Sequence, residues 1–190
     1  MAVYNYPEGF TAHTIPAQVT TERYALVIDT PNPLQRLTLF VLMMNPSVAD
    51  ATHSDMTVNT LLTNLGERYK QVIIVNTTPI VETKSENLKA HSSQIAQRLL
   101  ANQKSIAKQI QAAGHFHFLV ATGNIQDGVN SKAYVDLMDY IKTHTVGDAW
   151  YTVGLTQQGY AGHPTRRPKE EVQNLKHIVQ ADAQWHFRLG

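Results

Sequence analysis

The sequence feature that most restricts the fold is an apolar run, Leu37 to Met44, which stops at Asn45-Pro46. Seven of its eight residues are apolar, which is typical of a strand covered on both faces. Proline cannot continue a central strand, so the chain must turn directly after the run. The run therefore predicts a buried strand with other layers of structure packed on either side.

Strand-like and helical patterns alternate along the rest of the chain. Apolar and β-branched runs predict strands over residues 22–29, 72–75, 116–121 and 150–155. Helical spacing of apolar residues predicts helices over 56–65, 92–113, 132–143 and 169–183, the first capped by Asp55. The alternation predicts a three-layer α/β sandwich with a central, mainly parallel sheet of about four strands. The residues expected in its core are Leu39, Val41, Ile73, Val75, Phe118 and Val120.

Length and composition narrow the class of protein. A chain of 190 residues predicts one α/β domain over residues 1–190, with an irregular arm over 1–20. The absence of cysteine excludes disulfide scaffolds, iron–sulfur clusters and zinc–thiolate sites, and we expect no metal or other cofactor. A net charge of +1 gives no general preference for nucleic acid, so any basic surface must be local. The chain begins without a secretion-signal pattern and has no membrane-spanning apolar stretch, so we expect a cytoplasmic protein.

Polar residues follow the predicted strands, where ligands bind in sheets of this kind. Asn45 and Ser47 follow the first buried run, Asn76 ends the next strand, and 122–124 (Thr-Gly-Asn) ends another. An asparagine carboxamide both donates and accepts hydrogen bonds, as holding a water or reading a base edge requires. The alternative is that these asparagines form turns and Ser47 starts a helix.

The loop over residues 156–167 carries the richest chemistry. Tyr160 can stack on a base, and His163 with its neighbour Thr165 can donate hydrogen bonds or stabilise developing charge. Arg166 and Arg167 suit phosphate. The alternative interpretation is a solvated loop before a helix.

Two further pairs of residues are weaker candidates. His115 and His117 share one face of a strand, so they could begin a metal site, but no third ligand is evident and packing at the start of a strand is the simpler interpretation. Asp50 and Asp55 could form a carboxylate pair, but capping of the following helix is the simpler role for Asp55.

The order of these motifs resembles an uncharacterised bacterial and phage family, a domain of unknown function. The chain carries R-Y-A-L, M-N-P-S-V-A-D, V-I-I-V-N, A-T-G-N and G-H-P-T-R-R in that order, over about residues 23–178. The family is marked by L-N-P-S-T-A-D near its start and H-P-L/T-R near its end. No activity follows from this resemblance.

The same order more distantly resembles the uracil-DNA glycosylase superfamily. On that resemblance Asn45 matches the asparagine of a water-positioning loop, G-I-N-P-G, and Asn76 matches the asparagine that reads a flipped uracil in V-L-L-L-N. His163 matches the histidine of H-P-S-P, which contacts a uracil carbonyl oxygen. The resemblance implies a uracil-DNA-glycosylase-like fold and action on a nucleobase. The chain departs from the superfamily in lacking an aspartate that one branch has in its first loop, and Arg166 replaces a leucine wedge.

Three hypotheses about function therefore stand side by side. In the first, a flipped base enters the site, Asn45 orients water, Asn76 pairs with the base and His163 stabilises charge on the departing base, so that the N-glycosidic bond is hydrolysed. In the second, the same site binds a base-containing ligand, as nucleic acid or nucleotide, without cleaving it. In the third, the scaffold carries a different hydrolase or transferase. None of the three involves a membrane.

Overall fold

The computed structural model describes residues 3–125, 131–145 and 150–190. It contains eight strands: β1 (Thr11–Ile15), β2 (Ala25–Asp29), β3 (Thr38–Met43), β4 (Gln71–Asn76), β5 (Phe116–Val120), β6 (Trp150–Thr152), β7 (Lys176–Gln180) and β8 (Phe187–Leu189). The described part of the chain also has four α-helices: α1 (Met56–Leu65), α2 (Ser92–Ala113), α3 (Ser131–His144) and α4 (Lys169–Gln173). Within these described segments, no helix combines the length and apolar character needed to cross a bilayer.

The strands form one sheet in the order β1-β2-β4-β3-β5-β6-β7-β8. The central strands β4, β3, β5 and β6 are parallel to one another. The pairings on either side of them, β1 with β2, β2 with β4, β6 with β7 and β7 with β8, are antiparallel. The prediction of a mainly parallel sheet of about four strands is therefore wrong for the sheet as a whole, because antiparallel strands extend both of its edges.

Two of these edge segments contradict the sequence prediction directly. The arm over residues 1–20 is not irregular throughout, because β1 pairs with β2 along its whole length. The helix predicted over 169–183 ends at Gln173, and the chain then enters β7. In both places, backbone pairing with a neighbouring strand outweighs the local preference of a short, weakly apolar segment.

Helices cover both faces of the sheet, as predicted. On one face, α2 and α3 pack on side chains such as Phe40, Ile73 and Phe118. On the other face, α1 and α4 pack on side chains such as Val41 and Ile74. All six residues expected in the core are at most 2% exposed. The α/β layering is thus confirmed.

The order of the central strands creates a crevice. From β3 the chain crosses to β4 through α1 on one face, whereas from β5 it crosses to β6 through α3 on the opposite face. β3 and β5 are neighbours in the sheet. The chain leaves the carboxyl end of β3 toward one side of the sheet and the carboxyl end of β5 toward the other. Such a switch point opens a ligand-sized crevice at the carboxyl edge of a sheet.

We expect the apolar face of α1 to contribute to the stability of the folded protein. Leu61 is fully buried against the sheet, so Leu61→Ala should lower the free energy of unfolding by about 2–5 kcal/mol through lost packing and a residual cavity. The matched control is Leu100→Ala on α2, where the side chain is 58% exposed and the change should stay within about 0.5 kcal/mol. Urea denaturation measures both, and equal effects would contradict this packing.

Candidate functional site

Parallel register brings the polar strand ends together. Met43 at the end of β3 lies opposite Asn76 at the end of β4, and Leu42 lies opposite Val120 at the end of β5. The loops that follow these strands therefore leave the sheet at one level. This arrangement places the segments that carry Asn45, Asn76 and residues 122–124 along a single edge.

Asn45 links two of these loops. Its Nδ2 donates to the Pro46 carbonyl at 3.0 Å and also to the Glu82 carbonyl. The Glu82 amide in turn donates to the Pro46 carbonyl at 3.0 Å. The side chain is half-buried, as is that of Ser47 two residues later. The carboxamide nitrogen of Asn45 is thus held by backbone, which leaves its Oδ1 as the atom that can accept a further hydrogen bond.

Asn76 is buried without a partner for its side chain. It is 1% exposed, and neither its Nδ2 nor its Oδ1 makes a hydrogen bond within the described residues. Its backbone carbonyl accepts a hydrogen bond from Nδ2 of Asn102 on α2 at 2.9 Å. The side chain of Asn102 therefore stabilises the end of β4, while the carboxamide of Asn76 itself has no hydrogen-bond partner among the described residues.

His163 reaches the same edge from the loop after β6. A Cβ placed on Gly123, just beyond β5, would lie 3.7 Å from the His163 Cβ. The imidazole Nδ1 is 3.0 Å from Oγ1 of Thr165, which is exposed on the short 3₁₀ turn Pro164–Arg166. Burial and the positive charge of Arg166 lower the pKa of His163, while Asp55 acts in the opposite direction. The ring is therefore neutral at pH 7.

The two arginines of this loop have different surroundings. Arg166 is exposed. Arg167 donates to the Leu155 carbonyl and, at 3.3 Å, to the Glu171 carboxylate. A Cβ on Gly162 would lie 2.8 Å from the backbone carbonyl oxygen of Gly154 and 2.8 Å from Arg167 Nε, and the backbone contact leaves no room for a side chain at this position.

Tyr160 is also engaged within the protein. Its ring is half-buried and packs on Tyr134 at 6.1 Å and on His186 at 4.6 Å between centroids. A ring held between two aromatic neighbours has less free face for stacking on a base than the sequence alone suggests.

A groove of about 260 Å³ lies between α1 and the turn after His163. Of the predicted site residues, Thr165 and Arg167 line it, together with residues of α1 such as Thr60 and Asn64. Asn45, Asn76 and His163 are not among its walls. This groove and the polar strand ends at the carboxyl edge are therefore lined by different predicted site residues.

A buried charged cluster next to this edge was missed by sequence reasoning. Arg23 is 3% exposed, and its Nη1 donates to the Ala49 carbonyl. Asp55, 6% exposed, caps α1 by accepting a hydrogen bond from the Val58 amide at 2.9 Å, as predicted. Tyr6 donates to the Asp50 carbonyl at 2.6 Å. An arginine just before a strand usually lies in solvent, so no local pattern indicates that this one is buried.

A metal site has no support in the described segments. Across residues 3–125, 131–145 and 150–190, no three histidine, aspartate or glutamate side chains are grouped closely enough to hold a metal ion. His117 instead shares a hydrogen bond of 3.0 Å with the Tyr69 hydroxyl. Burial lowers the pKa of His117, as expected for a half-buried ring.

Comparison with known proteins gives one match. Residues 23–165 match the model of the family described as "Protein of unknown function (DUF1643)", so the chain belongs to that family. No curated protein and no solved structure matches the chain. The prediction of membership in a domain family of unknown function is confirmed, while the link to uracil-DNA glycosylases stays a prediction.

We expect the two arginines to differ in their effect on stability. Arg167→Lys removes the planar guanidinium that donates hydrogen bonds to the Leu155 carbonyl and the Glu171 carboxylate, and should lower the free energy of unfolding by about 1–3 kcal/mol. Arg166→Lys is the matched control and should change it by less than about 0.5 kcal/mol. Urea denaturation distinguishes the two, and a larger effect at Arg166 would contradict the assignment.

We also expect the pKa of His163 to depend on the charges of its neighbours. Its pKa, measured by NMR on the ring protons, should lie below the ordinary value of 6.5. Arg166→Gln removes a positive charge and should raise this pKa, whereas Asp55→Asn removes a negative charge and should lower it further. A pKa at or above 6.5, or one that neither variant moves, would contradict this electrostatic description.

Proposed function

We propose that this DUF1643 protein binds a nucleobase, carried by a nucleotide or a nucleic acid, at the carboxyl edge of its sheet and hydrolyses the N-glycosidic bond. The observation that carries the proposal is the buried carboxamide of Asn76, whose nitrogen and oxygen have no hydrogen-bond partner among the described residues. An unsatisfied buried polar group costs about 1–3 kcal/mol. A ligand that offers one donor and one acceptor side by side, as a base edge does, would remove that cost.

Asn45 is suited to position water. Its Nδ2 is committed to the carbonyls of Pro46 and Glu82, so the orientation of the carboxamide is fixed. A fixed Oδ1 can accept a hydrogen bond from one water molecule and aim its oxygen at the sugar carbon. Preorganisation of this kind lowers the barrier because no side chain must reorient during the reaction.

His163 is suited to stabilise the departing base. Because its pKa is lowered, the ring is neutral, and the Thr165 hydroxyl can donate to Nδ1. The proton then resides on Nε2, which can donate to a base oxygen as negative charge develops. In this assignment Thr165 orients the histidine rather than contacting the substrate.

Of the other predicted site residues, only some are suited to contact a ligand. Arg166 is exposed and can contact phosphate, whereas the guanidinium of Arg167 is held by Leu155 and Glu171. Tyr160 packs on aromatic neighbours, so its role is to stabilise the loop rather than to contact the ligand. Ser47 is placed beside Asn45 and stays a candidate for substrate contact. The motif order that resembles the uracil-DNA glycosylase superfamily supports hydrolysis as the reaction.

One observation favours a second candidate function, binding of a base without cleavage. Asp50 is the carboxylate nearest to Asn45 in the first loop, and its Oδ1 accepts hydrogen bonds from the amides of Thr52 and His53, both at 2.7 Å. This carboxylate therefore closes a turn and is not free to activate water. A base-binding module needs Asn76 but does not need that carboxylate.

Base release and base binding together test the proposal. Oligonucleotides with uracil, hypoxanthine or mismatched bases, and the corresponding nucleotides, are assayed for release of free base beside a binding titration. We expect release by the wild type, and a loss on the order of a hundredfold for Asn45→Ala and His163→Ala. Asn174→Ala and His13→Ala, at exposed positions, are matched controls and should retain activity.

The outcomes separate the two candidates. Release that depends on Asn45 and His163 supports hydrolysis. Binding that Asn76→Ala weakens, without any release, supports the binding module instead. Neither release nor binding of any ligand in the panel would refute both.

A further inference from the structure

Arg23 is a buried cation without a counter-ion in contact. Its side chain is 97% removed from solvent, because only 3% is exposed, and its Nε makes no hydrogen bond among the described residues. No carboxylate in those segments lies within ion-pair distance of it. Burial lowers its pKa to about 10, with Asp55 opposing the shift, so the guanidinium is charged at neutral pH.

A buried charge without an ion-pair partner is unfavourable in a folded protein. The attraction of Asp55 and Asp50 offsets only part of this cost, because the net shift of the Arg23 pKa is downward. The Ala49 carbonyl satisfies one donor of the guanidinium but supplies no negative charge. A protein can retain such a group when a ligand brings the missing charge during its function. The group is then an anion-binding subsite.

The position of Arg23 places this charge next to the proposed base site. Its backbone amide donates to the carbonyl of Pro79 at 2.8 Å, three residues beyond the end of β4. Its side chain reaches Ala49, which packs in the core on the α1 side of the sheet. Val72 and Ile74 of β4 face that same side, so strand alternation directs the Asn76 side chain there as well. Arg23 and Asn76 thus share one edge and one face of the sheet.

We propose that Arg23 supplies the positive charge for an anionic oxygen of the ring that Asn76 holds. The proposal rests on the proposed function and specifies its substrate class, a base that departs as an anion. In the hydrolysis, the C1′–N bond breaks and its electron pair moves onto the ring. The oxygen of water bonds to C1′ and releases one proton to solvent. The ring anion takes up a proton from solvent after it leaves.

The other charged and titratable groups of this cluster set the strength of the subsite. Asp55 interacts with both Arg23 and His163, while Asp50 and Tyr6 also act on Arg23. Burial raises the pKa of Tyr6, so its hydroxyl stays protonated and neutral. The carboxylates of Asp55 and Asp50 are therefore the nearby negative charges that compete with a bound anion, and Oδ1 of Asp55 also caps α1.

Calorimetric titration of the full chain with two free rings tests this assignment. Uracil is neutral at pH 7, whereas 5-nitrouracil is largely anionic there and reports its ionisation by absorbance. We expect the wild type to prefer 5-nitrouracil by about tenfold, as a hydrogen bond to a charged group provides. Arg23→Gln should abolish this preference and leave the affinity for uracil little changed. Arg36→Gln, at an exposed arginine that the proposed site does not include, should retain it.

Asp55→Asn provides a test that does not depend on the folding of an Arg23 variant. Asparagine caps helices as well as aspartate does, so α1 should remain intact while a negative charge is lost. We expect the preference for 5-nitrouracil over uracil to increase severalfold. An unchanged or smaller preference would overturn the role of Arg23.

The remaining outcomes separate this inference from the proposed function. If the wild type binds both rings through Asn76 with equal affinity, and Arg23→Gln changes neither, the role of Arg23 is wrong and the base site stands. If inorganic phosphate binds in an Arg23-dependent way while the two rings do not differ, Arg23 serves a phosphate instead, and the inference is overturned. If the wild type binds neither ring, the proposed base site and the proposed role of Arg23 are both refuted.

Discussion

The parallel pairing of β3 with β4 is the interaction on which the rest of the site depends. Its register sets Met43 opposite Asn76, so the two polar loops begin at the same level of the sheet. The Thr77 amide then donates to the Met43 carbonyl at 2.9 Å, which extends the ladder past the end of the strands. A shift of one residue would turn Asn76 toward α2 and bury an apolar residue in its place. Register and site therefore cannot be varied independently.

The buried polar side chains at this edge differ in how completely their hydrogen-bonding groups are satisfied. Thr77 and Asn102 are also buried, but each donates a side-chain hydrogen bond to a backbone carbonyl: Thr77 to Met44, and Asn102 to Asn76. These two residues hold the strand end in place. The side chain of Asn76 and the Nε of Arg23 receive no such support from the described residues. Unused hydrogen-bonding capacity is not confined to these two residues, because Oδ1 of Asn102 and Oγ1 of Thr38 also lack partners among the described residues. Asn76 differs in that both its donor and its acceptor are unpaired within the described residues.

The sequence predicts the centre of this fold well because its signals there are strong. The apolar run that becomes β3 and the helical period that becomes α2 are both long enough to define their elements. The edge strands β1, β7 and β8 have three to five residues each, and alternate weakly. Such segments become strands only because a neighbour offers hydrogen-bonding groups, which a local pattern does not contain.

The candidate site was predictable to the same extent. The positions of Asn45 after β3 and of Asn76 at the end of β4 follow from strong strand signals, whereas their roles in a site stay predictions. The difference between Arg166 and Arg167 is not predictable from local spacing, since it depends on a hydrogen bond from one guanidinium to the Leu155 carbonyl twelve residues away. The burial of Arg23 depends on a carbonyl 26 residues away. Side-chain environments that arise from distant contacts leave no trace in local spacing.

The paired hydrogen bonds between Glu82 and residues 45–46 have a mechanical consequence. They run in opposite directions, from the Glu82 amide to Pro46 and from Asn45 to the Glu82 carbonyl, so neither loop can lift away without breaking both. The loops after β3 and β4 therefore behave as one rigid piece. Displacement of one by an entering ligand would be transmitted to the other, and local opening would be cooperative rather than gradual.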